Sequence, residues 1–189
     1  PGQLTVAGRQ RLENWIKAGG VAVRFAGLLL AKATGEDGEE PLLPVGLRRG
    51  DRVIGGAMSW RDPAKLAPFE ASSPFHGLSV PDDVTVNRQV LAQPALDLAE
   101  KTWARLDDGT PLVTAERRRK GWLVLVHTTA SPQWSTLPLS GLFVQMLRRL
   151  VAFSQGVAGG ATGPPLEPLS TLDGFGRLGP AVTHAVLDL

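Results

Sequence analysis

In the stretch VLVHTTASPQWSTLPLSGLF, residues 124–143, an apolar run stops at His127 and hydroxyl-bearing side chains follow. A serine hydroxyl within hydrogen-bond reach of an imidazole, itself oriented by a carboxylate, is the constellation of a nucleophilic hydrolase. One reading of the stretch is therefore a hydrolase or carbohydrate-processing site built from His127, Ser135 or Ser140, and an aspartate. The other is structural: His127 ends a strand and bonds locally, and Ser140 caps the helix that follows. The G-x-S-x-G elbow that exposes a nucleophile in α/β-hydrolases is absent, and Pro132 and Pro138 interrupt any tight strand-to-helix turn. Ser72 and Ser73 sit in a Pro-flanked loop that also lacks an elbow. The favoured reading of His127 is structural.

Other chemistries find less to work with. There is no cysteine, which removes thiolate nucleophiles, disulfides and Cys-ligated zinc. His76, His127 and His184 show no HExxH-like spacing, and no metal is expected. GVAGGATG is glycine-rich but follows a helix and lacks the Lys-Ser/Thr of a phosphate loop, and no cofactor is expected. Asp82-Asp83 and Asp107-Asp108 read as solvated turns, as does Arg49-Gly50-Asp51. His76 reads as a loop histidine with a structural bond. The run Arg117, Arg118, Arg119, Lys120 is a possible contact patch for phosphate or lipid at an exposed turn. The formal net charge of +2 is too small for the basic stripe of a nucleic-acid binder, and none is expected as a partner.

These side chains need elements to hold them. LTVAGRQRLENWIKAGG predicts a helix capped by Thr5, with Leu12, Trp15 and Ile16 on one face and Gly19-Gly20 as its exit. VAVRFAG follows as a buried strand, so helix and strand form half of a β-α-β unit. TGEDGEE, residues 34–40, is an acidic loop. VTVNRQVLA alternates as a strand. From Lys101 to Thr128, three strand-like runs separated by Asp-Asp-Gly and Arg-Arg-Arg-Lys-Gly predict an antiparallel meander. Apolar residues at 142, 143, 146, 147, 150 and 151 predict a helix with one wide buried face, capped by Ser140 and ended by Gly156. GVAGGATGPPLEP is a linker, and an extended tail closes the chain.

With 189 residues and 43% hydrophobic composition, one domain with an appended tail is expected. No signal peptide is visible and no run reaches the ~20 apolar residues of a membrane helix, so the piece itself is expected to be soluble. Pro1 stands where a strand before the first helix would have ended, which makes an N-terminally truncated α/β domain the expectation.

LENWIKAGGVAVRFAG and DDGTPLVTAERRRKGWLVLVHTTASPQWSTLPLSGLFVQMLRRL together resemble the class I glutamine-amidotransferase-like domain of bacterial aerotolerance-type membrane proteins. Those proteins carry an N-terminal double-transmembrane region and a C-terminal domain of unknown function. WSTLPLSGLFV after the TTA strand end is the most specific element, and LDGFGRLG is similar to the join after that domain. The resemblance implies a flavodoxin-like α/β core over residues 1–155, with a β-rich insertion at about 45–100 and the antiparallel meander. Residues 156–168 would be the Gly/Pro linker and 169–189 the extended tail. Amidotransferases of this fold use a Cys-His-Glu triad, and without a cysteine the nucleophile has no counterpart here. The resemblance thus implies a pseudoenzyme, a binding or assembly module anchored in a bacterial inner membrane with this domain on the periplasmic side. Its partners would be proteins at the membrane and the rest of its own longer chain.

Overall fold

The computed structural model describes residues 5–33, 42–54, 62–154, 170–172 and 178–180. The acidic loop 34–40, the Gly/Pro linker 156–168, the helix stop at Gly156 and His184 lie outside these residues. The chain divides into two compact units, Pro1–Gly156 and Val157–Leu189. In the second, strands Ser170–Leu172 and Leu178–Pro180 pair antiparallel, with Thr171 opposite Gly179.

The first unit is a mixed α/β fold. Helix α1, Val6–Ala18, starts where the Thr5 hydroxyl accepts the Gly8 N–H at 3.1 Å. It stops at Gly19, whose N–H donates to the Ile16 carbonyl and whose φ of 134°, open to glycine, turns the following chain out of the helix. Strand β1, Val21–Phe25, follows immediately, and then the short helix α2, Leu28–Ala33. The chain next runs through four two-residue strands: β2 Arg52–Val53, β3 Ala64–Lys65, β4 Thr85–Val86 and β5 Arg88–Gln89. They make two antiparallel ladders, β2 with β5 and β3 with β4. VTVNRQVLA is thus not one strand. It breaks at Asn87, where the N–H groups of Asn87 and Arg88 both donate to the Trp134 carbonyl, at 2.7 and 3.1 Å, and each half joins a different ladder.

The meander forms as the turn chemistry predicts: β6 Thr102–Arg105, β7 Pro111–Arg118 and β8 Gly121–Val126. Gly109, at φ 83°, turns β6 into β7. The sheet order is β1-β8-β7-β6, with β1 parallel to β8 and the other pairs antiparallel. Strand alternation divides the side chains between two faces. On one face Val21, Val23, Phe25, Val124 and Val126 pack against helix α3, Gly141–Phe153. On the other, Leu123 meets Ile16 and Leu42, while Leu125 packs with Ala26, Ala31, Leu47, Val90 and Trp134.

Two helix faces are narrower than the apolar spacing predicts. In α3, Leu142, Met146 and Leu150 are buried, a single i, i+4, i+8 ridge, whereas Leu147 and Val151 join Val144 on the exposed side. One sheet face contacts one ridge, and each of the three buried side chains contributes about 1.5–3 kcal/mol. In α1, Trp15 is 44% exposed and lies over Gly20, where an added Cβ would come within 2.5 Å of the indole. Among the described residues no helix is long and apolar enough to cross a membrane.

Candidate functional site

His127 follows β8 directly and is fully buried. Its backbone is fixed on both sides: the N–H donates to Leu112 O at 2.8 Å, and its carbonyl accepts the Val90 N–H at 2.8 Å. Its ring is fixed as firmly. Nδ1 lies 2.8 Å from Val90 O, and Nε2 lies 2.9 Å from Thr114 Oγ1. A carbonyl only accepts, so Nδ1 carries the proton, and Nε2 then accepts the Thr114 hydroxyl. Burial lowers the imidazole from 6.5 to about 4, outweighing the opposite pull of the Val90 carbonyl. The ring is neutral near pH 7 and both its nitrogens are occupied.

The serines are also occupied. Ser135 is fully buried; its Oγ donates to Thr85 O at 2.9 Å and accepts the Leu137 N–H at 3.0 Å. Ser140 Oγ donates to Leu137 O at 2.7 Å and accepts the Phe143 N–H at 3.3 Å, which starts α3 as the sequence predicts. Neither hydroxyl bonds to His127, and neither ring nitrogen bonds to a carboxylate. His127 and the two alternative nucleophiles, Ser135 and Ser140, are therefore placed by the fold in separate structural roles. Ser73 Oγ accepts the Phe75 N–H at 3.1 Å, Ser72 is exposed, and the ring of His76 contacts Phe69 O at 3.3 Å.

The partner that sequence reasoning missed is Thr114. A two-residue turn at Arg119-Lys120 pairs Arg118 with Gly121, which sets Thr114 opposite Leu125 and diagonal to His127 on the same face. The pairing of Thr hydroxyl and imidazole has the look of a nucleophile and its base, but both side chains have no solvent exposure.

No protein-family model and no curated protein matches this chain. Among solved structures it is similar to "Cytoplasmic Protein STM1381 from Salmonella typhimurium LT2", at 17% identity and a TM-score of 0.48. The match covers 78% of this chain and spans 58% of that protein's length.

The basic run forms the tip of the β7–β8 hairpin. Arg119 stands at φ 57°, and Arg117 Nε donates to its carbonyl at 3.1 Å. Arg117, Arg119 and Lys120 are exposed, whereas Arg118 is partly covered and meets Glu116. Behind the tip, Lys101 joins Asp97 at 2.8 Å and Glu116 at 3.3 Å. Partial burial draws the Lys101 ammonium down, but these two bonds outweigh it and hold the group above its ordinary value. In the Arg49-Gly50-Asp51 turn, Gly50 has φ 80° and Asp51 is taken by Arg88, which also lies 5.0 Å above the Trp134 ring. Asp108 is tied to Arg52 and Thr110; burial raises its carboxyl, but these bonds prevail and hold it below the usual range. Among the described residues no group of three or more His, Asp or Glu side chains is placed to hold a metal ion.

Proposed function

We propose that this chain is a non-catalytic binding or assembly module. In this reading it is an amidotransferase-like, flavodoxin-like domain of a bacterial inner-membrane envelope protein of the aerotolerance type, lying on the periplasmic side. The observation that carries the non-catalytic part is the commitment of His127: both ring nitrogens are bonded inside a sealed core. The lack of cysteine and the structural bonds of Ser135 and Ser140 support the same reading. The exposed Arg117, Arg119 and Lys120 at one hairpin tip supply the contact edge for a protein partner at the membrane.

Two measurements test this reading. A fluorophosphonate probe and a glutamine-hydrolysis assay, run on the full chain, are expected to give no labelled serine and no ammonia release. Labelling of Ser135 or Ser140 that disappears in His127→Ala would overturn it. Cross-linking of the full-length membrane-anchored protein through residues at the hairpin tip is expected to give a defined protein adduct, lost when Arg117, Arg119 and Lys120 are replaced by Ser. An adduct that persists in that triple variant would remove the tip from the contact.

A further inference from the structure

The four-stranded sheet ends differently on its two sides. Along β6 and just past it the outer edge is covered: the Ala67 N–H donates to Arg105 O at 3.0 Å, and the Asp107 N–H to Lys65 O at 2.9 Å. Along β1 it is open. The Trp122 N–H reaches Gly20 O at 3.0 Å and the Ala26 N–H reaches Val126 O at 2.8 Å, so the even-numbered residues here face β8. Val21, Val23 and Phe25 therefore turn their N–H and C=O groups outward, where they meet no partner among the described residues. The strand also lacks the devices that guard a free edge. It has no proline, its register with β8 runs unbroken, and its one charge, Arg24, is drawn to Leu42 O at 2.7 Å.

Helix α3 adds an apolar strip above the same edge. It runs antiparallel to β1: the Phe143 ring lies 6.2 Å from that of Phe25, and the Phe153 ring 5.3 Å from Trp122, the residue opposite Val21. Arg149 reaches Pro74 O at 3.2 Å, beside Phe75, whose ring packs on Trp103 of β6, so that flank of α3 faces β6. Leu147 is two residues earlier, about 200° around the helix, and projects on the β1 side. Val144 and Val151 flank it, and the three are 49, 37 and 74% exposed in chain order. Four helical residues span about 6 Å and two strand residues about 6.6 Å, so Leu147 stands level with Val23 as Phe143 does with Phe25.

We propose that this edge pairs with β1 of a second copy of the chain, antiparallel about a two-fold axis through Val23 and Leu147. Val23 then faces the partner's Val23, and Val21 faces the partner's Phe25. Such pairs exchange both backbone bonds, so every outward N–H finds a carbonyl. Arg24 falls opposite the partner's Ala22, so no like charges stand directly opposed. With ~4.8 Å between strands, helices seated above β1 and β8 stand about 10 Å apart across the axis, the distance at which helices pack. A foreign peptide strand would satisfy the backbone but leave the α3 strip bare; a second copy covers both. The pairing is independent of the role of His127.

Sedimentation of the full chain is expected to show a dimer of twice 20.1 kDa at ~100 µM that dissociates on dilution. Leu147→Lys places two ammonium groups on the axis and is expected to give a folded monomer at that concentration, because the position is exposed. Residue-resolved amide exchange is expected to be at least ~10-fold slower at Val21, Val23 and Phe25 in the wild-type dimer than in that variant. Val151→Lys, at the most exposed position of the strip, is expected to weaken the dimer by ~10-fold and keeps the test open should Leu147→Lys misfold. A wild-type monomer at ~100 µM, a dimer indifferent to both lysine variants, or a dimer whose Val23 amide exchanges as in the monomer would each overturn the proposal.

Discussion

Thr114 Oγ1 lies 2.9 Å from His127 Nε2, and both side chains are sealed from solvent. With the Val90 carbonyl on the opposite nitrogen, this bond ties β7, the end of β8 and the backbone just after β5 into one polar link inside an apolar core. Such a link specifies geometry, because each member is costly if left unpaired. It also removes His127 from chemistry, since a base with no free nitrogen and no route to solvent has no proton to exchange with a substrate.

Thr114→Val keeps the β-branched shape and removes only the hydroxyl, leaving His127 Nε2 without a donor. The expected loss is about 1–3 kcal/mol, read as a lower urea midpoint with an unchanged slope. An unchanged midpoint would show that the bond contributes nothing.

The depressed imidazole predicts how stability depends on pH. The folded chain holds His127 neutral down to about 4, whereas the unfolded chain takes up its proton near 6.5. The unfolded state therefore binds more protons in that window, and stability falls as pH falls. The His127 contribution is fully present above pH 6.5, declines between 6.5 and about 4, and levels off below. At about 1.4 kcal/mol per pH unit the full loss is about 3 kcal/mol. His127→Asn, which retains a donor for Val90, is expected to flatten this slope; a variant with the wild-type slope would assign it to other groups.

Gly121 opens β8 where α1 ends, and a Cβ there would overlap the carbonyl oxygens of Ile16 and Gly20. These are backbone atoms, so α1 itself would have to move. Gly121→Ala is expected to cost about 3 kcal/mol or more, with an altered near-ultraviolet signal from Trp15 and Trp122. A thermal midpoint within a degree or two of wild type would contradict this close approach.

Arg119 occupies a left-handed conformation that a side chain disfavours. Arg119→Gly is expected to stabilise the protein by about 0.5–1 kcal/mol, a net of relieved strain and lost chain stiffness. The neighbouring Lys120→Gly, at a position without positive φ, is expected to destabilise it slightly. Calorimetry on the two variants checks the sign, and a lowered midpoint for Arg119→Gly would refute the argument.

Local chemistry made much of this fold legible. Thr5 and Ser140 are caps in the sequence and caps in the structure. The glycine and basic turns place β6, β7 and β8 where their spacing implies. What spacing does not carry is which apolar residues find a partner: Leu147 and Val151 lie at helix positions as apolar as Leu150, but only one ridge of α3 reaches the sheet. The break at Asn87 is equally non-local, because it depends on the carbonyl of Trp134, far along the chain. At the candidate site, the types of His127, Ser135 and Ser140 were visible and their partners were not. A hydroxyl that caps a helix and one that attacks an ester are the same group until the neighbours are known.

The most direct test of the account is the titration of His127 itself, followed by the ring carbon-bound proton in NMR spectra of the folded chain. A neutral ring, protonated on Nδ1, is expected, with a resonance that stays fixed from pH 8 through the ordinary histidine range and moves only as the pH approaches about 4. A resonance that titrates near 6.5 in the folded protein would show an imidazole open to solvent, and would contradict a structural His127 and the non-catalytic reading built on it.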